Sequence, residues 1–524
     1  MVVALAFRAW DEYVEDGLSR WAVDEIARQT GDTYRLRLGD LSFLPLAGSI
    51  AFDSAAIATD SARNRRRPEP LPVLRGRAHE CRVSGLALLR LLFGQSFSAR
   101  VLECRRVAAG IRLAARGADE PVSAVDTTGD SAGAELVRPL GLSSFRIGRA
   151  SFPSLSLTLE RPGPRGGTTL VLEHARFDAE GLDFDLESAT ADRARLRATG
   201  LVLRPDSLTE ISVARLDAGL TDSTLALSDA EHEPAIPEAE WVRRVRVRRD
   251  RVRFALDSLL GRGVAYRAFL ASGEIGVRAL ELRGARLDVL TDRRIPKGSP
   301  RRHSTPQRAA ARIDPAVRLD TVLVAGGRIL YREREPETER PGVVSFENLR
   351  ATVLDFHLPS ADRPLRIDAR AQLMGEGLLA VQATVPLHAS DFRYELSGRL
   401  GTMPAEAFNR FLSVNESYEF DGGQVEEITF RQDVKDGRAR TTVTPRYRDL
   451  SVEPTGEGGG VVGSVTRGVK EFLAGAFVVR SRNPEDEGEE PRTGRVVRRY
   501  DPTRTWLQFV WVGLREGLLE VIKE

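Results

Sequence analysis

Leu155-Ser156-Leu157-Thr158-Leu159-Glu160 and, further on, Leu182-Asp183-Phe184-Asp185-Leu186-Glu187 alternate apolar and polar residues at every step. Successive side chains of an extended chain point to opposite faces, so this spacing puts the leucines and Phe184 on a dry side. The hydroxyls and carboxylates fall on a wet one. The same period of two precedes these stretches at Tyr34, Leu36 and Leu38. It follows them at 201–203, 211–216, 280–290, 317–331, 344–356, 365–385, 392–400 and 425–452. Core strands of a parallel sheet would read as continuous apolar runs. The pattern therefore predicts a mainly β protein of antiparallel strands joined by short turns.

Helical spacing is confined to a few places: 17–29, 85–94, 404–412, 461–473 and a last stretch around 507–521. No strand-helix-strand rhythm appears, which excludes doubly wound and barrel α/β folds. Polar breaks rich in Gly, Pro and charge fall at 61–72, 116–139, 228–239, 292–312, 333–341 and 481–492. They divide the chain into an opening helix (1–32), a first β segment (33–141), a β-array (142–291), a linker (292–312), a second array (313–457) and a closing region (458–524).

With 77 Lys+Arg against 75 Asp+Glu in 524 residues, there is no global field to gather nucleic acid. The only lysines are Lys297, Lys435, Lys470 and Lys523, a skew toward arginine that reflects coding bias rather than phosphate recognition. Cys81 and Cys104 are too few for a disulfide framework and lack metal spacing. They flank the 85–94 segment, so one disulfide in an oxidising compartment and two buried thiols both remain open. The opening run Met1 to Phe7 meets Arg8 at once, short of the ~20 apolar residues of a spanning helix. It suits the tail of an anchor that begins upstream, or an amphipathic cap.

Signals for chemistry are weak. Six scattered histidines form no metal-binding spacing, and His174 and His357, inside β-patterned stretches, read as partly buried and hydrogen-bonded. Gly129-Asp130-Ser131-Ala132-Gly133 fits GxSxG, but it lies inside the polar break 116–139 and not on a strand-to-helix turn, so no nucleophilic serine is assigned. Gly458, Gly460 and Gly463 satisfy GxGxxG, but no second parallel strand follows, so they read as a linker rather than a phosphate cradle. No catalytic, cofactor-binding or metal residue is assigned. The arginine-rich stretch Arg243 to Phe254 reads as a strand whose wet face meets acidic neighbours. Contact with anionic headgroups is its alternative. In the last helix Leu507, Val510, Trp511, Leu514, Leu518 and Val521 recur at three- and four-residue steps, widened by Trp506 and Phe509. That stripe must be buried, either against the end of the β-array or at a membrane interface.

Several segments, in this order, resemble the AsmA-like family of bacterial envelope proteins, related to TamB and to chorein-type bridge-like lipid-transfer proteins. They are Thr30 to Leu36, the turn Ala47-Gly48-Ser49-Ile50, Gly85 to Leu92, and Ala325-Gly326-Gly327-Arg328-Ile329-Leu330-Tyr331-Arg332. Tyr447 to Val452, Phe477 to Arg480 with Asn483-Pro484, and Arg499-Tyr500-Asp501 complete the series. The resemblance implies a long curled antiparallel sheet with an open lengthwise apolar groove. It also implies a non-enzymatic role in outer-membrane biogenesis or phospholipid transport, with phospholipid and inner- or outer-membrane proteins as partners. The expected location faces the periplasm, with an inner-membrane anchor if the chain begins upstream. The groove residues expected on this reading are Leu155, Leu157, Leu159, Leu182, Phe184, Leu186, Leu201 and Leu203. A periplasmic β-scaffold without lipid, and then a carbohydrate-active β-enzyme, are the alternatives; aromatic residues at 6% leave few stacking platforms for sugars.

Overall fold

The computed structural model describes residues 15–17, 19–20, 22–28, 30–44, 48–67, 71–87, 96–112, 144–161, 167–185, 189–204, 209–298, 303–313, 316–359, 363–416, 418–454, 479–486 and 488–523. The chain is mainly β, with one large mixed sheet and few helices among these residues. It divides into two units, 1–232 with 260–276 and 233–259 with 277–524.

The first unit is built on β1 (Tyr34–Leu38), β2 (Leu41–Leu44), β3 (Ser49–Thr59), β4 (Val73–Ser84), β5 (Ser96–Arg112), β6 (Ser144–Arg161), β7 (Thr168–Asp185), β8 (Ala189–Thr190), β9 (Arg193–Arg204), β10 (Ile211–Gly219) and β11 (Thr224–His232). β1 and β2 both pair with β3, and the ladder then runs β3-β4-β5-β6-β7-β9-β10-β11. Next come β12 (Arg251–Val264), β13 (Ile275–Arg283), β14 (Arg286–Asp292), β15 (Val317–Arg334), β16 (Gly342–Leu358), β17 (Leu365–Leu373), β18 (Gly377–Val385), β19 (Tyr394–Leu400), β20 (Met403–Pro404), β21 (Tyr418–Lys435), β22 (Arg438–Pro454) and β23 (Gly494–Arg499). In the second unit the ladder runs β14-β15-β16-β17-β18-β19-β21-β22-β23.

Two pairs correct the expectation of a purely antiparallel sheet: β5–β6 and β14–β15 are parallel. Parallel neighbours need a long crossover, and the two breaks at 116–139 and 292–312 fall where those crossovers must lie. The second is not the exposed linker its composition suggested. Asp292, Ile295, Gln307 and Ala310 are buried, and Thr305 caps the short helix Pro306–Ala310. Burial works to raise the Asp292 pKa, but hydrogen bonds from the Arg294 side chain and backbone, with Arg334 nearby, outweigh it and hold the carboxyl below its usual range.

Three further readings change. Arg243 and Arg244 end a helix, Glu238–Arg244, and the strand begins only at Arg251. Arg251 is buried with its guanidinium 2.7 Å from Glu233, and Arg253 shares that carboxylate at 2.6 Å. His174 is exposed rather than partly buried, whereas His357 is half-buried with Nε2 3.0 Å from Asp320. The segment 404–412 is a 3₁₀ turn, Ala405–Phe408, continuing into the helix Asn409–Asn415. Positions 22–28 of the opening helix are helical. Most of the 85–94 segment, the 458–463 glycines, the 461–473 helix and Phe477-Val478 lie outside the described residues.

Cys81 and Cys104 form a disulfide. They are direct register partners on β4 and β5, so the two strands themselves, with no intervening helix needed, bring them together. Both are buried. The bond closes a loop over a sequence separation of 23 residues. Cys81→Ser/Cys104→Ser is therefore expected to lower stability by about 3 kcal/mol through the freer unfolded chain. Urea melts of this variant and of the reduced wild type should shift together; a variant that melts with the oxidised protein would refute the effect.

Candidate functional site

Residues opposite one another across a ladder share a face. In the first unit this register assembles Leu74, Ile111, Leu159, Leu170, Leu203 and Ile211 into one row across β4, β5, β6, β7, β9 and β10. Every member is half-buried. The next row on the same face includes Ile57, Ala109, Leu157, Leu172, Leu201 and Val213. Leu172, Leu201 and Val213 are buried. Leu155 follows in a third row, between Val107 and Ala175.

The sequence-predicted residues thus divide as follows. Leu155, Leu157, Leu159, Leu201 and Leu203 come together on this face. Leu182 is buried further along β7, in a cluster with Ile147, Ala150, Ala179 and Ala194. The Phe184 backbone stands opposite Phe145 near the end of β7, and Leu186 lies outside the described residues. Leu74, Ile111, Leu170 and Ile211 were missed as site residues, although each sits in an alternating or apolar stretch; the strands to pair them with were not yet known.

The alternation is not continuous. His79-Glu80 on β4, Arg105-Arg106 on β5, Pro153-Ser154 on β6, Glu173-His174 on β7, Thr199-Gly200 on β9 and Ala214-Arg215 on β10 are consecutive residues that are both exposed. Each doublet reverses the phase of its strand, so the apolar side chains before and after it stay on one face. Glu80, Gly200 and Asp229 of β11 adopt positive φ near this level, the backbone signature of a bulge. The doublets line up across the ladder, with one jog where β6 and β7 shift register.

Beside this line an open concavity of about 760 Å³ is bordered by the charged Asp53, Glu80, Arg82, Glu103, Arg105 and Arg176 together with Leu41, Phe52 and Pro153. Arg105 donates to Glu80 at 2.9 Å and holds that carboxyl below its ordinary value. Among the described residues no group of His, Cys, Asp and Glu is placed to hold a metal ion.

The second candidate element is the helix Trp506–Ile522. Thr505 and Gln508 form a capping box, which satisfies backbone N–H groups at its start. Phe509, Gly513, Gly517 and Val521, four residues apart, make its buried face. That face lies over β22 and β23, where Gly517 approaches Val443 and Gly494, and Gly513 approaches Gln432 and Thr441. Phe509 packs with Phe392, Tyr394 and Val434, and Val510 packs beside them. Arg515 donates to Glu416 at 2.7 Å; burial raises the Glu416 pKa and the arginine opposes that rise. The predicted stripe is therefore split. Phe509 is buried and Val510, Leu514 and Leu518 are half-buried; Trp506, partly exposed, sets its ring edge-on to Tyr394, while Leu507 and Trp511 face outward. No described helix is long and apolar enough to cross a membrane.

Compared with known protein families and with curated proteins, the chain matches none.

Proposed function

We propose that this protein holds phospholipid acyl chains against the apolar face of its first unit, as a non-enzymatic component of envelope lipid transport or outer-membrane assembly. The observation that carries this reading is the row Leu74-Ile111-Leu159-Leu170-Leu203-Ile211, six aliphatic side chains in register and all half-buried. Six strands about 4.8 Å apart make a row roughly 24 Å wide. One leaflet of a bilayer core is about 15 Å deep, so the row is long enough to cover an acyl chain. Each methylene moved from water onto such a surface contributes about 0.8 kcal/mol. No polar specificity group is needed, in keeping with the resemblance to AsmA-like proteins, whose apolar groove this face would line. The pairing of both cysteines fits an oxidising compartment such as the periplasm.

The neighbouring buried row of Leu172, Leu201 and Val213 favours a second reading, a sealed β-scaffold without cargo. Native mass spectrometry of protein purified from an envelope fraction in mild detergent separates the two. Bound phospholipid is expected on the wild type and lost from Leu159→Asp/Leu170→Asp/Leu203→Asp, with the fold checked by its β-sheet circular dichroism. An empty wild type would make the scaffold reading the function.

A further inference from the structure

We infer that the outward face of the Trp506–Ile522 helix rests on an anionic phospholipid bilayer. Leu507 is 61% exposed and Trp511 51%, on a helix whose opposite face is already seated on its sheet. Their exposure is therefore not a failure of the helix to find its core. Tryptophan beside leucine on an amphipathic helix suits the interfacial zone, where the indole ring is half in water. At about 1.5 Å per residue the helix is about 25 Å long, and no described helix meets the length and hydropathy needed for a span. Lying on the surface, not crossing it, is the geometry it fits.

Charge selects the kind of surface. The helix's own acids are engaged, Glu516 with the Arg498 guanidinium and Glu520 with the Arg495 backbone N–H at 2.7 Å. Arg499, at the end of β23, is exposed and has no carboxylate partner among the described residues, and Arg504, at the helix start, is exposed beside Asp501. Anionic headgroups attract both arginines. The inference does not depend on the first unit carrying lipid.

Flotation of the full chain with vesicles of phosphatidylglycerol and phosphatidylethanolamine, and with phosphatidylcholine alone, tests it. The wild type is expected to float with the anionic vesicles only. Leu507→Glu/Trp511→Glu and, separately, Arg499→Glu/Arg504→Glu should each lose on the order of tenfold in partitioning. Both should melt with the wild type, because the four side chains are exposed. Lipid retained in native mass spectra of both variants would keep this result distinct from the acyl-binding face. The inference is overturned if the wild type stays with the unbound fraction, floats equally with neutral vesicles, or floats undiminished after the apolar pair is replaced. It also fails if that replacement turns a dimer into a monomer and vesicles never bind, since a second copy would then be the occupant.

Discussion

Gly494→Ala is expected to lift the helix Trp506–Ile522 off its sheet and to lower the stability of the second unit by about 3 kcal/mol or more. A Cβ at position 494 would stand 2.8 Å from the Gly517 carbonyl carbon and closer still to its oxygen. The obstacle is backbone, not the end of a side chain that can swing away, so the whole helix must retreat. Retreat uncovers Phe509 and Val521, which are buried in the seat. Against this, alanine gains only about 0.5–1 kcal/mol through a less flexible unfolded chain. Overpacking therefore wins. Denaturant melts should move to lower midpoint, and amides of 506–522 should lose hydrogen-exchange protection. Wild-type stability with those amides still protected would contradict the close approach.

Gln432→Leu is expected to cost about 2–4 kcal/mol, although it replaces a polar residue in a core by an apolar one of similar size. Gln432 is 0% exposed. Its Oε1 accepts from the Tyr394 hydroxyl, and its Nε2 donates to Thr441 Oγ1 at 2.8 Å. Burial pushes the Tyr394 phenol well above its ordinary value, so it remains a donor. Removing the amide leaves two buried hydroxyls without their partner, at about 1–3 kcal/mol each, and the leucine's better transfer energy offsets only part. The sharper expectation is the rescue. Tyr394→Phe/Gln432→Leu/Thr441→Val removes all three polar groups together and should recover most of the loss. If the single variant is as stable as the wild type, or the triple variant is worse than the single, the trio does not act as one hydrogen-bonded unit.

The β class was legible because a period of two survives any choice of partner strand. Leu155, Leu157 and Leu159 declare a face whether or not Leu170 and Leu172 are known to lie across from them. What alternation cannot supply is which strands pair and in which direction. The parallel β5–β6 and β14–β15 pairs, the register of Cys81 on Cys104, and the membership of Leu74 and Ile111 in the apolar row all depend on that. The phase reversals were visible in principle. Leu102 and Cys104 give way to Val107, Ala109 and Ile111 across Arg105-Arg106, and a strict count of steps of two would have marked the slip. The last helix was read as having one stripe to bury. Its glycines, Gly513 and Gly517, carry the docking instead, because only a residue without Cβ lets the backbone come so near to β22 and β23. Hydrophobic spacing is blind to glycine, so Trp511 was grouped with Phe509 although they face different surroundings.

The aligned doublets have a consequence for how such a sheet changes over generations. An extra residue in one strand normally throws its neighbours out of phase. Here every strand from β4 to β7, with β9 and β10, carries its own irregularity at nearly the same height, so the defect is shared and the ladder stays continuous. A duplicated hairpin would bring two doublets with it and fall into line, whereas a lone insertion beside Thr199 would break the rank. Width, in this design, is edited by the hairpin.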